Sequence, residues 1–155
     1  MNDSKDLILL VEDDPNDVEL ALAAFNDLTL EVEVAVARDG QEALDFLRRQ
    51  GRYADRPGGC PALVLLDVKL PKLTGLQVLQ HMKGASVLRR IPVVMLTSSR
   101  EERDLVESYD LGVNAYVVKP VGYGEFTRLL KDTCTFWIVM NQRPTEHRNC
   151  VAGAV

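Results

Sequence analysis

Five side chains in this 155-residue chain could do chemistry, and they share one context. Glu12 and Asp13 follow the apolar run Leu7-Ile8-Leu9-Leu10-Val11. Asp67 follows Ala62-Leu63-Val64-Leu65-Leu66, Thr97 follows Pro92-Val93-Val94-Met95-Leu96, and Lys119 follows Ala115-Tyr116-Val117-Val118. If these ends meet, the carboxylates repel one another, and one or more must hold a raised pKa. Lys119 and a divalent cation would relieve that repulsion. A few carboxylate oxygens, with water completing the shell, suit Mg2+. An Asp beside Mg2+ and a lysine, with a hydroxyl nearby, is arranged for phosphoryl transfer. The Asp67 oxygen would attack phosphorus to form an aspartyl phosphate, Lys119 and the metal would neutralise the equatorial oxygens, and Thr97 would donate a hydrogen bond. Each residue alone has a plainer reading. Asp67 suits a turn or a helix cap, and the acids and the lysine suit a solvated patch. The decision rests on the elements that position them.

Unbroken apolar runs this short are expected of strands buried on both faces of a parallel sheet. Residues 7–11, 62–66, 92–96 and 115–118 therefore read as strands. Glu31 to Ala37 alternates and is β-branched, as a strand nearer the edge should be. Between these runs lie helical faces. One begins at Pro15 and carries Val18, Leu20, Ala21, Leu22, Ala24 and Phe25, with Pro15 suited to a first turn. Asp39 is placed to cap a second helix with Ala43, Leu44, Phe46 and Leu47 inside. A third carries Leu76, Val78, Leu79 and Met82. A charged helix spans residues 100–111 and stops at Gly112. The last starts near Tyr123 and, by the spacing of Phe126, Leu129, Leu130, Thr133, Trp137 and Met140, runs to about Asn141. Residues 50–61 are loop chemistry, rich in glycine and proline. Five strands alternating with five helices require parallel pairing with right-handed crossovers, an α/β doubly wound sheet. The order 2-1-3-4-5, flavodoxin-like, places strands 1 and 3 side by side at the switch point. Glu12, Asp13 and Asp67 then share one crevice, flanked by Thr97 and Lys119.

The chain is expected to form one domain over residues 1–141, with an irregular or disordered tail at 142–155. A net charge of −5 without a basic stripe argues against nucleic acid. No apolar run reaches membrane-spanning length, and the polar start is not a signal peptide. Cys60, Cys134 and Cys150 lack metal-ligand or framework spacing and fit reduced thiols in a cytoplasmic protein. Cys60 lies in a loop that reads as exposed and open to reaction. No GxxxxGK[ST] stretch occurs, so ATP is not the expected donor.

The segments LLVEDD at 9–14, LVLLDVKLP at 63–71, the following Gly75, PVVMLTSS at 92–99 and AYVVKP at 115–120 resemble the receiver domain of bacterial two-component response regulators. The resemblance covers residues 6–133. It implies that Asp67 is the phosphoacceptor, that Glu12 and Asp13 are the acidic pair with Asp13 the direct Mg2+ ligand, and that the Lys69 backbone carbonyl is a third ligand. It implies that Thr97 and Lys119 contact the phosphoryl group, that Tyr116 is the switch aromatic coupled to Thr97, and that the Lys119–Pro120 bond is cis. The long loop before Asp67 and the aromatic extension FWIVMN are similar to single-domain regulators that partner bacteriophytochrome and cyanobacterial phytochrome histidine kinases. No DNA-reading module fits after Pro120, so output is expected through protein contact or onward phosphotransfer. The chain is not expected to be an enzyme beyond its own phosphorylation and dephosphorylation. The apolar cluster Phe136 to Met140 leads us to expect a homodimer through the last helix. Three alternatives fit the residues less well. A haloacid-dehalogenase-type phosphatase would want an acid where Lys69 stands. A flavodoxin-like binder would not place Glu12-Asp13-Asp14 at a phosphate loop. An unphosphorylated pseudo-receiver would have lost the acceptor or the acids.

Overall fold

A computed structural model describes residues 5–144. Five strands are present: β1 (Asp6–Val11), β2 (Val32–Ala37), β3 (Leu63–Leu66), β4 (Val93–Thr97) and β5 (Ala115–Val118). Five helices alternate with them: α1 (Pro15–Asn26), α2 (Gly40–Arg48), α3 (Gly75–Gly84), α4 (Glu102–Asp110) and α5 (Tyr123–Cys134). The sheet is parallel throughout and runs β2-β1-β3-β4-β5, as the alternation requires. Apart from the end of the last helix, element bounds lie within about two residues of those read from the sequence, the usual fraying at ends.

Alternate strand residues point to opposite faces, and this divides the core in two. Leu9, Val11, Val64, Leu66, Val93 and Met95 pack with α2 and α3. Ile8, Leu10, Leu63, Leu65, Val94 and Leu96 pack with α1 and α5 on the other side. All four residues of β3 are buried, so the strand carrying Asp67 has no freedom to shift. The helix starts are capped as their sequences suggest. Asp14 accepts from the N–H groups of Asn16 and Asp17, with Pro15 next to it. Asp39 accepts from Glu42 N–H at 2.7 Å, and Thr74 and Gln77 form a reciprocal capping box. Among the described residues no helix is long and apolar enough to cross a membrane.

Three expectations are corrected. No peptide bond among the described residues is cis, so Lys119–Pro120 is trans, the isomer that X-Pro bonds prefer by about 0.5–1 kcal/mol unless packing opposes it. Cys60 is neither exposed nor a free thiol. It is 8% exposed and disulfide-bonded, because its loop folds back onto the α2 side of the core. The expectation of reduced thiols therefore does not hold for Cys60. Cys134 is free and buried, and burial pushes its thiol up to about 12. The last helix does not stay α-helical to its end. After α5 the chain makes a π-helical segment, Thr135–Met140, closed by Asn141 N–H donating to the Phe136 carbonyl at 2.7 Å. The buried stripe is Phe126, Leu130, Cys134 and Ile138, so Met140, expected inside, is 69% exposed. Residues 142–144 have no regular structure. The rest of the expected tail, with His147 and Cys150, lies outside the described residues.

Candidate functional site

The site is built where β1, β3, β4 and β5 end. Asp67 follows β3 directly, and its N–H donates to the Val11 carbonyl of β1 at 3.1 Å. Gly75 opens α3 against the same turn, where its N–H donates to the Val68 carbonyl at 2.8 Å. Thr97 closes β4 and is 1% exposed. Lys119 follows β5, and its N–H donates to the Thr97 carbonyl at 2.9 Å. Strand-to-strand hydrogen bonds thus fix the backbone of Asp67 and Lys119, and β4 itself that of Thr97, before any side chain is placed.

The side chains converge on Asp67, which is 8% exposed. Thr97 Oγ1 donates to Asp67 Oδ1 at 2.7 Å. Lys119 Nζ donates to Asp67 Oδ2 at 3.2 Å, to Glu12 Oε1 and to Asp17 Oδ2 at 3.2 Å. The other Glu12 oxygen accepts from the N–H groups of Asp13 and Asp14 at 3.0 and 3.2 Å. Burial pushes Glu12 up to about 7, with the Asp67 charge acting the same way, against the hydrogen bond and charge of Lys119. Burial alone would lower Lys119. The hydrogen bond to Glu12 and the charges of Asp67, Glu12 and Asp17 outweigh it and hold the ammonium above the ordinary lysine range.

Of the residues singled out in the sequence, Glu12, Asp67, Thr97 and Lys119 touch one another. Asp13 is exposed and, with Lys69, lines an adjoining groove of about 540 Å³ beside α4. Among the described residues no three His, Cys, Asp or Glu side chains are grouped to hold a metal. Glu12 has turned to Lys119 rather than toward the groove. Even so, the donor set fits a hard divalent ion. All the available ligands are oxygens, and three carboxylates share a single lysine, which leaves surplus negative charge beside the groove. Mg2+ is commonly held by only one or two carboxylates, with water and other oxygens completing its shell, so it does not need a three-carboxylate cage.

Tyr116 lies one strand away, its OH donating to the Ser99 carbonyl at 3.0 Å. Burial pushes its phenol up, so it remains a donor. Three residues were not singled out from the sequence. Asp17 reaches Lys119 from the first turn of α1. Ser99 and Asp104 form a buried pair, with Ser99 Oγ donating to Asp104 Oδ2 at 2.6 Å. Asp17 could have been found, since a side chain in a helix's first turn leans back toward the strand ends. Asp104 is one acid among several in a charged helix, and nothing local marks it out.

A doubly wound sheet with a carboxylate, a hydroxyl and a lysine at three strand ends is the plan of a phosphoaccepting signalling domain. The profile of the response regulator receiver domain matches residues 8–131, and the chain belongs to that family. It is similar to response regulator Rcp1 of Synechocystis sp., with 39% identity over 85% of this chain and 88% of the relative. The crystal structure of the phosphorylated cyanobacterial phytochrome response regulator RcpA matches with a TM-score of 0.85 and 39% identity, over 92% of this chain and 100% of that one. The bacteriophytochrome response regulator AtBRR is 59% identical, with a TM-score of 0.73, over 90% of this chain and 99% of that one. The chain is therefore a phosphoaccepting response regulator of two-component signalling and not a conventional enzyme. This goes against the phosphatase, flavodoxin-like and unphosphorylated alternatives. Receivers bind a divalent metal in the active site, and Rcp1 has been solved with Mn2+ bound.

Proposed function

We propose that Asp67 is the phosphoacceptor. The observation that carries this is its place after β3, with Thr97 Oγ1 at 2.7 Å on one oxygen and Lys119 Nζ at 3.2 Å on the other. A carboxylate oxygen attacks the phosphorus of a phosphohistidine. The new O–P bond forms as the N–P bond breaks, and the imidazole nitrogen leaves with the electron pair and then takes up a proton. Thr97 donates to the incoming phosphoryl oxygens and Lys119 offsets their charge. Asp13, Asp67 and the Lys69 backbone carbonyl would hold Mg2+, with Glu12 beside them, and the ion when bound supplies charge neutralisation at the transferred group. Thr97 already bonds Asp67, so phosphorylation redirects that hydroxyl rather than drawing it from a distance. Tyr116 then repacks beside it, and the face formed by α4, β5 and α5 shifts population.

The donor is a sensor histidine kinase. The phytochrome-linked relatives favour a bacteriophytochrome kinase, and a cytoplasmic location goes with such an ATP-fed donor. We take residues 1–141 as one receiver that acts through protein contact. Phe136, Val139 and Met140 are 47%, 60% and 69% exposed, and this apolar end supports a homodimer through the last helix. The decisive experiment is incubation with Mg2+ and acetyl phosphate followed by intact mass spectrometry. Addition of one phosphoryl group is expected, and none in Asp67→Asn. No gain, or an equal gain in the variant, overturns the assignment of Asp67.

A further inference from the structure

Helix α4 is attached to the domain differently from its neighbours. Its buried residues are Asp104 and Ser108, whereas α1, α3 and α5 bury chiefly apolar side chains. Asp104 is 5% and Ser108 0% exposed. A buried carboxylate is costly unless it is hydrogen-bonded. Here the donor is Ser99 Oγ at 2.6 Å, and the place in the first turn of α4 adds the favourable end of the helix dipole. Ser108 Oγ donates to the Asp104 carbonyl at 2.7 Å and braces the same turn.

Ser99 is the junction between this turn and the phosphoacceptor. Its N–H donates to Thr97 Oγ1 at 3.2 Å, its carbonyl accepts from Tyr116 OH at 3.0 Å, and its hydroxyl serves Asp104. A threonine hydroxyl has one proton to give. With the Ser99 N–H on a Thr97 lone pair, that proton points to Asp67 Oδ1.

We propose that Ser99 and Asp104 are positioning residues that tie the Thr97 hydroxyl to the first turn of α4, so that a change at Asp67 moves α4 through a hydrogen-bonded link. The inference rests on Asp67 being the acceptor. When Thr97 shifts its donation from the carboxylate to a phosphoryl oxygen, its lone pair carries the Ser99 N–H, and Ser99 Oγ carries Asp104. Helix α4 can follow because it has no fully buried apolar anchor to break, which places it at the low-stability end of the fold. A link of hydrogen bonds also transmits direction, which sliding apolar contacts do not.

The test uses the full chain with Mg2+ and beryllofluoride, a mimic of the aspartyl phosphate, followed by backbone amide NMR. In the wild type, the amides of residues 97–99 and of 102–105 should shift together. Ser99→Ala keeps the N–H and carbonyl but loses the hydroxyl. In this variant the residues near Asp67 should still respond while the α4 amides respond severalfold less, and Ser99→Thr should restore them. Asp104→Ala should match Ser99→Ala. If it does not fold, Ser99→Ala and its rescue carry the test alone. Equal α4 shifts in wild type and Ser99→Ala overturn the link while leaving the acceptor intact. A wild-type chain that does not respond at all overturns the acceptor and the link together.

Discussion

Gly75→Ala should disable the site from a residue that does no chemistry. A Cβ on Gly75 would lie 2.9 Å from both the Asp67 carbonyl carbon and Val68 Cα, and closer still to the Asp67 carbonyl oxygen. Carbon atoms pack best at about 3.5–4.0 Å, so each of those contacts is at least ~0.6 Å too short. All three atoms are backbone and cannot rotate away. Either α3 moves outward, losing the Gly75–Val68 hydrogen bond, or the Asp67–Val68 peptide moves. Asp67 itself is held by its N–H bond to Val11, so the displacement falls on the turn that aims its carboxylate. Overpacking of this kind costs roughly 1–3 kcal/mol of stability, and a misplacement on the order of 1 Å costs up to about 10²-fold in rate. Gly84→Ala at the other end of α3 is the control, since nothing lies within 4 Å of its Cβ. It should be neutral or stabilising by up to about 1 kcal/mol. The assay is a mass-spectrometric time course with acetyl phosphate and Mg2+, beside urea unfolding of both variants. If folded Gly75→Ala is phosphorylated at the wild-type rate, the steric reasoning is refuted.

Two further outcomes are expected. Lys119→Met leaves Glu12, Asp17 and Asp67 without their shared cation and should cost roughly 3–5 kcal/mol at pH 7. Glu12 titrates near 7 folded and at its ordinary 4.5 unfolded, so its contribution to stability is highest below about 4.5 and falls as pH rises to 7. Without Lys119 its folded pKa goes higher, so the deficit of the variant should grow with pH across that window. Urea midpoints at pH 5, 6, 7 and 8 check this, and a deficit independent of pH would contradict it. Replacing Phe136, Val139 and Met140 together by Ser should convert a dimer to monomer by light scattering and abolish the dependence of the unfolding midpoint on protein concentration that a dimer shows. A wild type that is monomeric at micromolar concentration would refute the dimer.

How much could be read in advance depends on how far each cause lies along the chain. Apolar runs, Pro15 at the head of α1 and Asp39 as a cap are settled by neighbours a few residues away, and each was legible. The meeting of Glu12, Asp67, Thr97 and Lys119 was legible at one remove, because the strand alternation admits few topologies and one of them joins those ends. The burial and bonding of Cys60 were not legible, because a glycine- and proline-rich loop reads as exposed until something shows where it folds back. Nor was the loss of Met140 from the buried stripe, since a π-turn changes the helical period without a sequence signal.

The sequence by itself determined the strands and the residues at their carboxyl ends, because hydrophobic periodicity is a local property. The tertiary structure alone decided that Glu12 faces Lys119, 107 residues away, and that the neighbouring Asp13 faces the groove. It also decided that Asp17 joins the lysine and that a buried Ser99–Asp104 pair, rather than apolar packing, roots α4. These are choices among side chains equally able to ionise or to hydrogen-bond. Burial and the direction of a hydrogen bond select among them, and both exist only once the sheet has closed.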